Sequence, residues 1–257
     1  MIVEYHRPTQ LKDALDLLSR PDPLTIPIGG GSAFRRTAFG PRAVVDLQAL
    51  GLDTFEQKGN SIELGATLTL QNLLAHLEQS PQPGLAGLVK AIRHEAAHNL
   101  RQVGSVAGCL VSAAGRSPFG TALLALDGVL TLEPGAEELH LGDLYPVRDE
   151  LLRGRLITAV SFGSKARIAY EYVARSPADQ PIVCAAVAVW HSGRTRLALG
   201  GFGTAPRLAF DGPDSGGVEA AARSAYSQAE DAWASKEYRA QIAGVLAGRA
   251  VQSALAH

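Results

Sequence analysis

Pro27-Ile28-Gly29-Gly30-Gly31-Ser32-Ala33-Phe34 follows a short apolar run, Leu24 to Ile28, that reads as a strand. Three consecutive glycines are costly unless the backbone needs them, because glycine loses more conformational freedom on folding than any other residue. What they allow is close approach of a ligand, with successive N–H groups turned toward one point. Such a concavity binds anions, phosphate above all, and Ser32 adds a hydroxyl at its edge. A plain turn between strand and loop satisfies the same residues. A second small-residue loop, Gly104-Ser105-Val106-Ala107-Gly108, follows an apolar helical pattern further along. Two such loops suit the two phosphates of one dinucleotide.

Working outward, Val3-Glu4-Tyr5 reads as an edge strand, and Pro8-Thr9 starts a helix that Thr9 is placed to cap. Leu11, Ala14, Leu15 and Leu18 give that helix one apolar stripe, and Pro21 and Pro23 stop it. Ala43 to Leu47 is a further strand, which completes a small β-α-β unit over residues 1–52. A second unit runs over 53–162. It holds a strand at Ser61–Ala66, a helix carrying Leu70, Leu73, Leu74 and Leu77 capped by Thr69 or Thr67, and one long helix from Leu85 to Leu100. A buried helix at Phe119–Leu126 and strands at Val129–Leu132 and Leu156–Phe162 complete it. After Gly163 the pattern shifts to strands at Arg167–Val173, Ile182–Trp190 and Thr195–Leu199, with a hairpin turn at His191-Ser192-Gly193-Arg194. A Gly-, Pro- and Asp-rich loop spans Phe210–Gly217. Helices near Val218–Trp233 and Ser235–Ala256 follow. The expectation is an α+β protein: two small α/β units over 1–162, then a sheet-plus-helices domain over 165–257.

The 257 residues are 46% hydrophobic and 19% charged, with 24 basic against 25 acidic residues. That composition is of a folded chain, and with no basic block it argues against a nucleic-acid partner. Two cysteines, Cys109 and Cys184, are too few for a disulfide framework or a cysteine-held cluster. The longest apolar run, Ile182 to Trp190, is too short to span a bilayer, and the first residues lack the pattern of a secretory leader. The expected setting is the cytoplasm, without membrane insertion. His94-Glu95-Ala96-Ala97-His98 matches the helical pattern of zinc hydrolases, where the i, i+4 spacing puts both imidazoles on one face. Glu133, Glu137 and Glu138 are then the candidates for a third ligand. The extended form of the motif fails, since Arg101 stands where it needs glycine. The dinucleotide fingerprint fails at Pro206, the phosphate loop and nucleophile elbow are absent, and Asp46, Asp53, Asp127 and Asp143 read as turn or cap residues. Cofactor binding is the reading that remains, and a flavin fits it, with redox chemistry carried by the cofactor.

The order of these features resembles the flavin-binding medium subunit of the molybdenum hydroxylases, the group of xanthine dehydrogenase and carbon monoxide dehydrogenase. The resemblance rests on Tyr5-His6-Arg7-Pro8, Ile28-Gly29-Gly30-Gly31-Ser32, Val45-Asp46-Leu47, Leu64-Gly65-Ala66-Thr67, Asn99 through Gly108, Leu123 through Asp127, Leu199-Gly200-Gly201, Pro206-Arg207 and Tyr238-Arg239. It implies a flavin-binding domain of the PCMH type over 1–162. It also implies FAD held by Ile28, Gly29, Gly30, Gly31, Ser32 and Ala33 on one side and by Ser105, Val106, Ala107 and Gly108 on the other, with Ile157 near the flavin ring. It implies partners too: an iron–sulfur subunit that delivers electrons and a molybdopterin subunit where substrate is oxidised. The chain departs from the family at Gln102, Ala107 and Cys109 in the second loop. It also departs at Pro118 and Tyr172, where an aspartate and a lysine are usual. These changes raise the alternative of a flavin-free structural or assembly subunit.

Overall fold

The computed structural model describes residues 1–32 and 41–256, and those residues form a mixed α+β fold with three sheets. The chain opens with β1 (Ile2–His6), α1 (Leu11–Ser19), β2 (Thr25–Ile28) and β3 (Arg42–Asp46). The strands form a parallel sheet in the order β1-β3-β2. β3 is central, and Ala43, Val44 and Val45 are fully buried. An unbroken apolar run is what a strand covered on both faces requires. Ala14 and Leu18, on the apolar stripe of α1, pack with Val45, Leu47 and Leu156. Burying a leucine in this way contributes about 1.5–3 kcal/mol. Thr9 does not cap α1; Gln10 holds that position without a side-chain bond.

Next come β4 (Phe55–Lys58), β5 (Ser61–Gly65), α2 (Leu70–Gln79), a 3₁₀ turn at Pro83–Leu85, α3 (Ala86–Glu95), α4 (His98–Arg101), α5 (Val106–Val111), α6 (Pro118–Ala125), β6 (Val129–Glu133), β7 (Glu137–His140), α7 (Leu141–Leu151) and β8 (Leu156–Gly163). The strands make a second sheet in the order β4-β5-β8-β6-β7. Of the two threonines placed to cap α2, Thr69 does so, its hydroxyl accepting the Asn72 N–H at 3.1 Å.

The long helix expected from Leu85 to Leu100 is broken. α3 ends at Glu95, and Ala96 is extended with φ −157° and ψ 156°. The break goes with two inward hydrogen-bond sets. Glu95 is half-buried and accepts the Ser117 hydroxyl at 2.9 Å and the Phe119 N–H at 2.8 Å. His94 stacks on Tyr172, with ring centres 3.9 Å apart. Its Nε2 meets the Asp179 carbonyl at 2.8 Å and its Nδ1 meets the Tyr170 hydroxyl at 2.9 Å. A carbonyl only accepts, so Nε2 carries the proton and Nδ1 accepts from Tyr170. His98 sits across the break on α4, so the two imidazoles do not share a helix face and Glu95 is spent on α6. The zinc-hydrolase alternative is corrected on this geometry. Among the described residues no cluster of His, Cys, Asp and Glu is placed to hold a metal ion.

The remaining elements are β9 (Arg167–Val173), β10 (Val183–Val189), β11 (Thr195–Gly200), β12 (Arg207–Gly212), α8 (Val218–Ala225) and α9 (Lys236–Leu255). The strands form an antiparallel meander in the order β12-β11-β10-β9. β12 occupies part of the expected loop at Phe210–Gly217, and α8 stops at Ala225, short of Trp233. Val183, Ala185, Val187, Leu197 and Leu199 pack with Ala222, Ala243, Leu246, Ala247 and Ala250 from the two helices. Alanines on α9 let its axis lie close to the sheet. Arg239 is fully buried in this core. It donates to the carbonyls of Ile182 and Gly201 and to Asp231 Oδ1, the last at 2.6 Å.

By packing, the described residues fall into two compact units with interleaved segments. One takes residues from 1–73, 98–112 and 129–161; the other takes 74–97, 113–128 and the residues from 162 on. Among the described residues no helix is long and apolar enough to cross a membrane.

Arg239→Ala strands Asp231 and two carbonyls, and is expected to lower the free energy of unfolding by about 3–5 kcal/mol in urea denaturation. Burial pushes the Glu95 carboxyl above the usual carboxylate range, against the opposing pull of its bonds to Phe119 and Ser117. Its ionisation therefore costs more in the folded than in the unfolded state. Stability falls as pH rises from the unfolded value, about 4.3, through the raised folded one. Glu95→Gln retains an oxygen able to accept both bonds, and is expected to flatten that slope in denaturation curves taken from acid to neutral pH.

Candidate functional site

The glycine stretch leaves the end of β2 and borders a cleft of about 360 Å³. Its lining includes Ile28, Gly29, Gly30, Gly31 and Ser32 on one side and Ser105, Ala107 and Gly108 on another. Ile157 closes it together with Leu156 from β8, and both are nearly fully buried. All these residues belong to the unit built from 1–73, 98–112 and 129–161. Val106 does not line the cleft: its side chain is fully buried beneath α5. Ala33 lies outside the described residues.

The first two glycines are required by the meeting of the two loops. A Cβ on Gly30 would stand 1.5 Å from the Val103 carbonyl oxygen, and one on Gly29 would stand 2.5 Å from Ser105 Oγ. Gly31 has a different need: its φ is +70°, with open space around a hypothetical Cβ. That is the left-handed region, which costs other residues roughly 1–2 kcal/mol.

The loops differ in what their N–H groups do. None of the Gly29, Gly30, Gly31 or Ser32 N–H groups donates to an acceptor among the described residues. In the second loop, by contrast, Val106 N–H donates to the Leu68 carbonyl at 2.8 Å and Ala107 N–H to the Ala66 carbonyl at 3.1 Å. Gly108 N–H reaches Ser105 Oγ at 3.3 Å, and Cys109 N–H reaches the Ser105 carbonyl at 2.8 Å. The second loop is thus the capped start of α5, fastened to the turn between β5 and α2. It contributes shape to the cleft, and its N–H groups from Val106 to Cys109 are occupied.

Sequence reading passes over two lining residues with chemistry. Thr67, read as a possible helix cap, instead lines the cleft with a buried hydroxyl that has no hydrogen-bond partner among the described residues. Arg155, two residues before Ile157, also lines the cleft. The signal available for Arg155 is its position beside the apolar start of β8. Pro118 and Tyr172 lie in the other compact unit. Pro118 is the first residue of α6 and buried, while the ring of Tyr172 lies 5.7 Å from Lys90 Nζ.

The site fits a dinucleotide. N–H groups without acceptors among the described residues suit phosphate oxygens, a buried hydroxyl likewise without a partner there suits an acceptor, and the apolar walls suit ring systems. Gly30→Ala is expected to force the loops apart and cost about 1–3 kcal/mol, as overpacking does. Gly31→Ala should cost only about 1–2 kcal/mol from its backbone angle. Paired thermal and urea unfolding curves, with Gly30→Ala the more damaging, check this.

Comparison with curated protein sequences gave no match. Among solved structures, the chain is similar to reconstituted CO dehydrogenase from Oligotropha carboxidovorans, with 24% identity and a TM-score of 0.81 over 98% of this chain and 97% of that one. It is similar to carbon monoxide dehydrogenase from Hydrogenophaga pseudoflava, with 21% identity and a TM-score of 0.82 over 98% and 97%. Quinoline 2-oxidoreductase from Pseudomonas putida 86 matches at 21% identity and a TM-score of 0.78, again over 98% and 97%. At these identities the likeness shows the fold. Residues 1–163, more than half of the chain, match the family model described as the FAD-binding domain in molybdopterin dehydrogenase. The chain belongs to that family, the FAD-binding oxidoreductase component of the molybdenum hydroxylases.

Proposed function

We propose that this chain is the electron-transfer flavoprotein subunit of a molybdenum-containing hydroxylase, working in the cytoplasm with an iron–sulfur subunit and a molybdopterin subunit. In this reading residues 1–162 are the flavin-binding domain and 165–257 a C-terminal domain. Electrons taken from substrate at the molybdenum site reach this chain through the partner's clusters and leave to an external acceptor. FAD, when bound, supplies the redox chemistry. The chain's own part is to hold and orient it. The observation that carries the proposal is the row of N–H groups at Gly29, Gly30, Gly31 and Ser32, without acceptors among the described residues, on a cleft within the family-matched residues.

The roles divide by chemistry. The Gly29–Ser32 N–H groups donate to phosphate oxygens. Ser105, Ala107 and Gly108 shape the opposite wall, where small side chains leave room. Ile157 and Leu156 exclude water from the apolar part. Thr67 Oγ donates to an oxygen of the cofactor, since a buried hydroxyl without a partner costs about 1–3 kcal/mol. With its two cysteines the chain has no set of thiolates for clusters of its own, which suits a division of labour among subunits.

The test is titration of the purified protein with FAD, followed by visible absorbance and flavin fluorescence. Saturation near one FAD per chain, with a shifted spectrum, is the expected result. Co-purification with the iron–sulfur and molybdopterin subunits then tests the assembly. Absence of binding would overturn this role in favour of a flavin-free structural subunit.

A further inference from the structure

We propose that Arg155 is the charged anchor for the phosphates of the bound dinucleotide, an inference that rests on the flavin reading above. Among the described residues that line the cleft, Arg155 is the one charged side chain. A dinucleotide brings two negative phosphates to walls that are largely apolar, and charge left uncompensated in such surroundings is expensive. A helix start or a second N–H row could share that load, but the second loop's N–H groups from Val106 to Cys109 are already taken by Leu68, Ala66 and Ser105. What remains is the first loop, which offers dipoles, and Arg155, which offers a full charge.

The geometry of Arg155 suits the task. Its backbone is fixed by a turn, with Gly154 at φ +66° and Arg155 N–H donating to the Leu152 carbonyl at 3.2 Å. Its Nη2 is held by Glu137 Oε2 at 2.5 Å. Nε and Nη1 have no acceptor among the described residues. One carboxylate thus grips one nitrogen and orients the others. Side-chain exposures of 21% for Arg155 and 57% for Glu137 put the carboxylate on the wetter side. There water solvates it, and Arg155 Nε and Nη1 keep donor capacity for a second anion. Glu137 takes one hydrogen of Nη2; the other, paired with Nη1–H or Nε–H, forms a planar fork that matches paired phosphate oxygens, a geometry that lysine's point charge lacks.

The experiment is fluorescence titration of the apoprotein with FAD, and separately with riboflavin, at low and at high salt. It compares the parent with Arg155→Gln and Arg155→Lys. Arg155→Gln is expected to raise the Kd for FAD about tenfold, in keeping with loss of a charge-assisted hydrogen bond, and to flatten its salt dependence. Arg155→Lys keeps the salt dependence and falls between the two in affinity. Riboflavin has no phosphate, so its affinity should be the same in all three proteins. Should Arg155→Gln unfold early in a thermal melt, Arg155→Lys carries the comparison through its affinity gap for FAD but not riboflavin. Parent-like FAD affinity and salt slope in Arg155→Gln would overturn the proposal, as would an equal loss for FAD and riboflavin. Failure of the parent itself to bind FAD would instead bring down the flavin reading, and this inference with it.

Discussion

The meeting of two backbones at Gly30 and Val103 is the constraint on which the rest of the site depends. There is no room for even a methyl group between them. Because the loops touch, the end of β2, the start of α5 and the first residues of β8 border one cleft instead of three separate surface turns. The second loop cannot retreat to relieve a clash, since Val106 and Ala107 are tied by their N–H groups to Leu68 and Ala66. A contact braced in this way transmits any added volume into strain, as close-packed interiors do.

The two glycine-containing loops look equivalent in sequence and are not equivalent in chemistry. One leaves its N–H groups without acceptors among the described residues; the other spends them on holding itself in place. Hydrogen-bond accounting separates them where residue types do not, because every buried or half-buried N–H group must be assigned somewhere. The loop whose N–H groups lack acceptors among the described residues is the one with a left-handed glycine at Gly31.

Much of the architecture was legible before the structure. The apolar runs at Val44-Val45 and Val183–Val189 announced central strands because full burial demands uninterrupted hydrophobicity. The stripe of Leu11, Ala14, Leu15 and Leu18 announced α1. β4 and β7 were missed because edge strands tolerate charge, and Phe55-Glu56-Gln57-Lys58 and Glu137-Glu138-Leu139-His140 carry it. The break after Glu95 was missed because its cause is not local. Ser117 and Phe119, distant in sequence, draw the carboxylate inward. The same blindness applied to the site. Glycine clusters are visible as letters, whereas Thr67 and Arg155 gain meaning only from what the fold sets beside them. Val106 shows the converse: its neighbours line the cleft while its own side chain is buried in the core.

Arg239 has a consequence in time. The carbonyls of Ile182 and Gly201 lie at the edge of β10 and in the turn after β11, yet their donor sits in the first turn of α9, the last helix of the fold. During synthesis the meander of β9 to β12 emerges with these acceptors unmatched and its apolar face uncovered. The unit built from residues up to 161 has every segment it needs well before then. Maturation on the ribosome is thus ordered: the cleft-bearing unit can close while the other waits for its clamp. Quality control that senses uncovered β-sheet would find its target in the second unit, in the interval before α9 arrives.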